Sequence, residues 1–392
     1  MYVCIKNKVF MEIAIFTIFN GNNNYGGMLQ AYALQHIINT LGYNCKQVIF
    51  ESTNNVIYTS KIRRCKQYSI QEIIKKLFEN IVERKTFLIT DKIKTRLVLF
   101  DNFRRNVVCC SKKIYSLANI DDLCNDFDIF VVGSDQVWNP NVVNKFFFLD
   151  FKTTTQTKIA YAASIGRSYL SKYETSFFRK YLNTFDFISV REKSAKLLLE
   201  QCNIIVPVSV TLDPTMLLTK EEWNTISVKR IIQDKYVLFY AFSYCSFHAQ
   251  INEYYTRKGL KVVFIPYVKQ KYNAFDNKLK FEPIWDVGPS EFLSLIKYAE
   301  YVITDSFHGT VFSIIYNRQF FVFKRDLDKN KTSKNARLND LLSVFSLKNR
   351  LIMDVQDIQS SKQINYSLIN ATLETQKAKS IKWLSDALNK SI

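Results

Sequence analysis

Histidine is scarce in this chain, with three residues in 392, and the eight cysteines include no C-x-x-C pair. Together these leave no His/Cys/Asp spacing of the kind that holds a structural zinc, so no metal is expected. Cys4, Cys45, Cys65, Cys109, Cys110, Cys124, Cys202 and Cys245 also lack the density of a disulfide scaffold and fit reduced thiols in a cytosolic protein. No stretch approaches the ~18 uninterrupted apolar residues of a membrane span. The first ten residues carry Lys6 and Lys8 but no long apolar run or small-residue cleavage site, so no secretory signal is expected. Met11 directly precedes the first strand and is a second candidate start. Internal repeats, low-complexity tracts and nucleic-acid-binding motifs are absent as well, which argues against a nucleic-acid partner.

The length exceeds one ordinary domain and makes two packed α/β domains the natural expectation. Hydrophobic residues at 47%, with 31 Phe and 22 Tyr, suffice for a core filled largely by aromatic rings. The net charge of +19 is unevenly placed: residues 61–113 hold 15 Lys/Arg against five Asp/Glu. Within that segment Ile70, Ile73, Ile74, Leu77, Phe78, Ile81 and Val82 recur at helical spacing, interleaved with Lys75, Lys76, Arg84 and Lys85. Such a basic amphipathic helix fits an anionic membrane surface or the steering of anionic substrates. A solvated face over a packed helix fits it equally well.

Apolar strands alternate with helical stretches, the pattern of parallel sheets covered on both faces. Strands are expected near 12–16, 45–50, 128–132, 158–163, 187–190 and 208–212, with helices starting near Gly26, Ser69, Ser171 and Lys193. The strand signal lapses over a polar stretch and restarts at Lys235. Further strands are expected near 236–242, 261–266, 301–304 and 320–323, and a helix capped by Ser290. The boundaries that follow are an N-terminal Rossmann-like domain over 1–215 with the basic insertion at about 61–113, and a linker over 216–234. A C-terminal Rossmann-like domain over 235–335 and a helical tail over 336–392 that packs back complete the chain. The fold class is therefore α/β, with two doubly wound domains facing a cleft.

Three strands end in residues able to do chemistry. Glu12–Phe16 runs into Asn20-Gly21-Asn22-Asn23-Asn24-Tyr25-Gly26-Gly27, a loop opening a helix, where glycine permits close backbone approach and free N–H groups favour an anion. Its spacing is neither a Walker A loop nor GxGxxG, and a plain turn explains the glycines nearly as well. Phe127–Val132 ends in Gly133-Ser134-Asp135, placing Asp135 where a general base or an acceptor for a sugar hydroxyl is useful, or where a turn needs a cap. Tyr301–Thr304 ends in Asp305-Ser306-Phe307-His308-Gly309-Thr310, and His308 is the best placed of the three histidines. A cap with a packed imidazole is the plain alternative.

In this order, Asn24-Tyr25-Gly26-Gly27-Met28-Leu29-Gln30-Ala31-Tyr32-Ala33-Leu34, Val132-Gly133-Ser134-Asp135-Gln136-Val137-Trp138-Asn139-Pro140 and Thr304-Asp305-Ser306-Phe307-His308-Gly309-Thr310-Val311-Phe312-Ser313 resemble the signatures of the polysaccharide pyruvyltransferase family. Tyr161–Gly166, Ser189–Glu192, Leu212–Thr215 and Asp286–Phe292 extend the similarity, which runs from about Glu12 to the Arg350 neighbourhood. One departure is that some members carry Arg-Leu-His where this chain has Ser306-Phe307-His308.

The resemblance implies a GT-B-like architecture and transfer of a pyruvyl group from phosphoenolpyruvate to two hydroxyls of a sugar, giving a ketal. No cofactor is implied beyond phosphoenolpyruvate as co-substrate. The acceptor would sit on a lipid-linked or nucleotide-linked polysaccharide precursor, and the enzyme would be cytoplasmic, peripheral at the inner face of the cell membrane. The family's essential histidine carries over to His308, with Asp135 and Arg191 as further candidate catalytic residues. Arg191 is the expected fork for the donor's carboxylate or phosphate, with an ion pair to Glu192 as its alternative. Ser306, Gly309 and Thr310 offer N–H groups and hydroxyls to phosphate, and Lys324 and Arg325 are expected to supply the charge that Ser306 does not. Asn24, Tyr25, Gln30, Asp135, Gln136 and Trp138 are the acceptor-side candidates, with Trp138 equally readable as a core anchor. A GT-B glycosyltransferase using a nucleotide-sugar donor is the competing reading. A non-catalytic anion- or glycan-binding scaffold is a third.

Overall fold

A computed structural model describes residues 11–21, 23–51, 90–142, 144–151, 156–243, 245–266, 281–325 and 335–391. Lys75, Lys76, Arg84 and Lys85 of the basic helical segment, and the helix expected near Ser69, lie outside the described residues. Strands β1 (Glu12–Phe16), β2 (Asn44–Phe50), β3 (Cys110–Tyr115), β4 (Ile129–Val132), β5 (Thr157–Ala163), β6 (Phe187–Val190) and β7 (Val208–Val210) form one sheet in the order β3-β2-β1-β4-β5-β6-β7. A second sheet, β10-β9-β8-β11-β12-β13, is made of β8 (Tyr236–Tyr240), β9 (Lys261–Phe264), β10 (Glu282–Pro283), β11 (Tyr301–Thr304), β12 (Gln319–Phe323) and β13 (Leu351–Ile352).

Every pairing in both sheets is parallel. Parallel strands need crossover segments that cover both faces, which is why central strands such as Ile129-Phe130-Val131-Val132 are apolar at consecutive positions and buried throughout. The strand order reverses between β1 and β4 in the first sheet and between β8 and β11 in the second. Such switch points open a crevice at the carboxyl ends of the strands.

β3, β10 and β13 have no counterpart in the strands expected from the sequence. β3 reads Cys-Ser-Lys-Lys-Ile-Tyr with its middle exposed, and β10 and β13 are two-residue edge pairings, so none carries an apolar run. The helix expected to be capped by Ser290 begins two residues earlier than that cap implies, at Pro289, with Gly288 as the N-cap, whose N–H donates to Glu291 Oε2 at 3.0 Å. Proline suits the first helical position because it has no N–H to leave unpaired. Within 216–234 the chain forms a helix, Lys220–Ile226, closed by a reciprocal Thr219/Glu222 cap, and Trp223 is fully buried. Met216, Leu217, Leu218 and Trp223 are buried, while residues 224–234 are exposed or half-buried.

The domains share one apolar core. Tyr25, Met28 and Leu29 of the Tyr25–Thr40 helix belong to the same buried cluster as Val287, Phe292, Val311 and Phe312. The Tyr25 ring stacks on Phe292 at 4.7 Å and its hydroxyl donates to the Val287 carbonyl at 2.9 Å. Arg96, fully buried in the Thr90–Asn106 helix, donates to the carbonyls of Pro266, Ile284 and Trp285. The last helix, Tyr366–Asn389, returns to the first domain, where Ser380 Oγ accepts the Leu212 N–H and Trp383 lies against Tyr161.

Candidate functional site

The ends of β4, β6 and β7 in one sheet and of β11 and β12 in the other converge on a group of buried charges. Asp213, just past β7, is its centre. Its Oδ2 accepts from Arg191 Nη1 at 2.7 Å and lies 3.5 Å from His308 Nε2, while its Oδ1 accepts from the Thr215 N–H and hydroxyl. Ser134 Oγ is 3.3 Å from Oδ2. Burial alone would raise this carboxyl, but the neighbouring His308, the Arg191 guanidinium and the Thr215 bond hold it well below the usual carboxylate range.

Arg191 ends β6 and is buried among three carboxylates. Its Nε donates to Glu192 Oε1 at 3.0 Å, its Nη1 binds Asp213, and its Nη2 lies 3.6 Å from Asp135 Oδ1. Its plane lies 4.1 Å from the Phe307 ring centroid, so a residue of the second domain covers it. Burial opposes its charge, and Glu192, Asp213 and Asp135 outweigh that and push its pKa up. Arg191 thus makes the ion pair with Glu192 that was its alternative reading, beside Asp213 and Asp135.

His308 sits in the first turn of the Phe307–Ile315 helix, whose N-cap Ser306 accepts the Gly309 N–H at 3.2 Å. The imidazole packs on the other domain's helix. A Cβ placed on Gly26 would lie 1.9 Å from His308 Nδ1, so only glycine leaves room for the ring. His308 Nε2 has no hydrogen-bond partner and faces Asp213. The β4 loop is shaped by a comparable constraint: Gly133 has φ +125°, and a Cβ there would meet the Tyr161 carbonyl oxygen at 2.1 Å. Asp135 follows in the left-handed region at φ 65°, uncommon for a residue with a side chain, and pairs with Ala163 as a parallel bridge.

The remaining sequence-level candidates divide. Thr310 Oγ1 donates back to the Ser306 carbonyl, and Gly309 is buried at the helix start. Arg325, past β12, donates to the carboxylate and carbonyl of Asp305 and lies over Phe242; Lys324 beside it is half-buried. On the first domain, Asn24 caps its helix by accepting the Gly27 N–H, and Tyr25 is the interdomain stack described above. Gln30 is fully buried and ties Thr17, the Gly27 carbonyl and the Ser134 N–H together. Gln136 accepts from Asn139 Nδ2, and Trp138 is a buried core residue donating to the Phe147 carbonyl. Asp135, Arg191 and His308 are thus brought to one site, while Tyr25, Gln30 and Trp138 are anchored in packing around it.

Asp213, Glu192 and Arg337 were not among the candidates. Asp213 stands in Leu212-Asp213-Pro214-Thr215, a strand end of the same kind as those singled out, and that was its signal. Arg337 belongs to the Asn335–Val344 helix and enters the site by tertiary packing alone. No group of three or more His, Cys, Asp or Glu able to hold a metal occurs among the described residues, and no described helix is long and apolar enough to cross a membrane.

A family model described as polysaccharide pyruvyl transferase matches residues 24–326. No curated protein matches the chain. Among solved structures, the wall teichoic acid polymerase TagF is similar over 97% of this chain and 88% of its own, at 13% identity and a TM-score of 0.50. A UDP-GlcNAc 2-epimerase from Neisseria meningitidis, bound to UDP-GlcNAc, is similar over 97% and 99% at 12% identity and a TM-score of 0.49. The likeness to TagF concerns the fold, which is GT-B-like.

Proposed function

Because the chain belongs to the polysaccharide pyruvyl transferase family, we propose that it moves a pyruvyl group from phosphoenolpyruvate to two hydroxyls of a sugar, in the crevice where His308 and Arg191 meet. The observation that carries the reading is that these two side chains, from different sheets, share one oxygen of Asp213. The acceptor in this reading is a lipid-linked or nucleotide-linked polysaccharide precursor handled at the inner face of the cell membrane, with no cofactor beyond the donor.

Phosphoenolpyruvate is a phosphate and a carboxylate on one small enol, so its pocket needs guanidinium groups and N–H donors. A proton delivered to the methylene carbon turns it into a methyl group and leaves C2 with oxocarbenium character. The first sugar hydroxyl then forms its bond to C2 and gives up its proton to a base. The C2–O bond to phosphate breaks, phosphate leaves, and the second hydroxyl closes the ketal. Of the two hydroxyl protons, one balances the proton now on the methyl group and the other leaves with phosphate.

His308, whose Nε2 lies 3.5 Å from Asp213 Oδ2, is the candidate acid/base group. Asp213 is a positioning residue that fixes the imidazole, and Asp135, less buried than its neighbours, is the candidate base for a sugar hydroxyl. Arg191 is the candidate donor fork.

Incubation with phosphoenolpyruvate and a panel of sugar acceptors is expected to release phosphate and add a pyruvyl mass to one of them. Absence of any product, together with protection from unfolding by nucleotide-sugars and none by phosphoenolpyruvate, would favour a glycosyltransferase instead.

A further inference from the structure

Arg337 is an anomaly among the buried arginines. Arg96 bonds three carbonyls, Arg167 pairs with Glu174, Arg191 with Glu192 and Asp213, and Arg350 bonds the Lys362 carbonyl, although Nε of Arg167 and of Arg350 carries no hydrogen bond. Arg337 is 7% exposed, forms no ion pair among the described residues, and its Nε has no hydrogen-bond partner. Burial and the nearby Arg191 charge pull its pKa down to about 10, against the opposite effect of Glu192. A cation held in this way is costly unless something anionic completes it.

The side chain lines a pocket of about 270 Å³ between the domains, shared with Arg191 and bordered by Leu212, Met216, Phe307 and Leu341. Arg191 Nη2 is also without a hydrogen-bond partner, its nearest carboxylate oxygen being Asp135 Oδ1 at 3.6 Å, too long for a hydrogen bond. The acids lining this pocket are engaged elsewhere: Asp213 and Glu192 hold the other edges of Arg191, and Asp340 accepts the Ser194 N–H at 2.9 Å. Two guanidinium edges therefore remain for one small anion, beside an apolar wall.

Resting on the pyruvyl-transfer reading, we propose that Arg337 and the Nη2 edge of Arg191 bind the phosphate of phosphoenolpyruvate, and later the phosphate released. Arg337 thereby supplies, from a helix after the second sheet's fifth strand in sequence, a cation in place of the one that Ser306 does not provide. Arg325 cannot fill that place while its guanidinium is bound to Asp305.

The test compares the wild-type protein with Arg337→Met and Arg337→Lys in thermal unfolding with inorganic phosphate or phosphoenolpyruvate, and in turnover. The wild type is expected to gain stability with either anion and Arg337→Met to lose that gain. The KM for phosphoenolpyruvate should rise about 10- to 100-fold, the size of one charge-assisted hydrogen bond, with a smaller change in kcat. Arg337→Lys, which keeps the charge without the fork, should fall between. Without ligand, Arg337→Met should melt no lower than the wild type, since it removes a buried charge that lacks a partner. A lower melting temperature with an unchanged phosphate response would show a structural role and overturn the proposal. Wild-type turnover with an unchanged KM in Arg337→Met would overturn it while leaving pyruvyl transfer intact. Phosphate binding that depends on Arg337, in a protein that does not turn over phosphoenolpyruvate, would remove the reaction and keep the anion site.

Discussion

At Asp213 a carboxylate oxygen faces cations from two domains, and its chemistry follows from that placement. A carboxyl whose folded pKa lies below its unfolded value stabilises the fold above the unfolded pKa and loses that contribution as pH falls. With the ordinary value at 3.8, the Asp213 contribution is whole at neutral pH and declines below about pH 4. Asp213→Asn should therefore flatten the acid limb of a stability-versus-pH curve, and should cost roughly 3–5 kcal/mol at pH 7 because Arg191 loses a buried partner. Chemical denaturation of both proteins at several pH values measures this, and parallel acid limbs would contradict it. His308→Gln removes the acid/base group but keeps a polar side chain. It should lower kcat about 10²- to 10⁴-fold in the phosphate-release assay with little change in melting temperature.

Among elements, the decisive contact is that of the Tyr25–Thr40 helix with the Phe307–Ile315 helix, where the His308 ring occupies the space of a Gly26 side chain. Gly26→Ala forces the ring or the helices apart. Activity should fall about 10²-fold or more, as expected when a reacting group is displaced by about 1 Å. An alanine variant with wild-type turnover would show that the ring is free to move away without loss.

Element-scale features were also the most legible in the sequence. Runs such as Ile129–Val132 and Tyr301–Thr304 are legible as buried parallel strands, and their polar ends carry Asp135 and His308, which lie against Arg191 and Asp213. β3 was hidden because two lysines sit in its middle, and β13 because two residues carry no period. Asp213 and Arg337 were harder for a different reason. Their meaning comes from what faces them across the domain junction, which local pattern does not encode. Tyr25 illustrates the reverse: a loop-tip aromatic suited by type to a sugar is packed in the interdomain core.

For the molecule as a whole, the +19 charge is unevenly spread along the chain, with 15 Lys/Arg against five Asp/Glu in residues 61–113. If that surplus serves an anionic membrane surface, reversing Lys75, Lys76, Arg84 and Lys85 should abolish sedimentation with anionic liposomes and leave turnover of a soluble acceptor unchanged. Unchanged sedimentation would return those residues to a solvated face. The two domains share a continuous core, so the crevice is a built feature of the folded chain that holds its charges in fixed positions.

Pyruvyl transfer as proposed requires this junction to bind phosphoenolpyruvate through residues of both domains. Calorimetric titration of the donor into the wild-type protein, and into Arg191→Met and His308→Gln, tests it without an acceptor. Saturable binding to the wild type, lost in Arg191→Met and weakened in His308→Gln, is the predicted result. No binding to the wild type, or equal binding to all three proteins, would contradict the account.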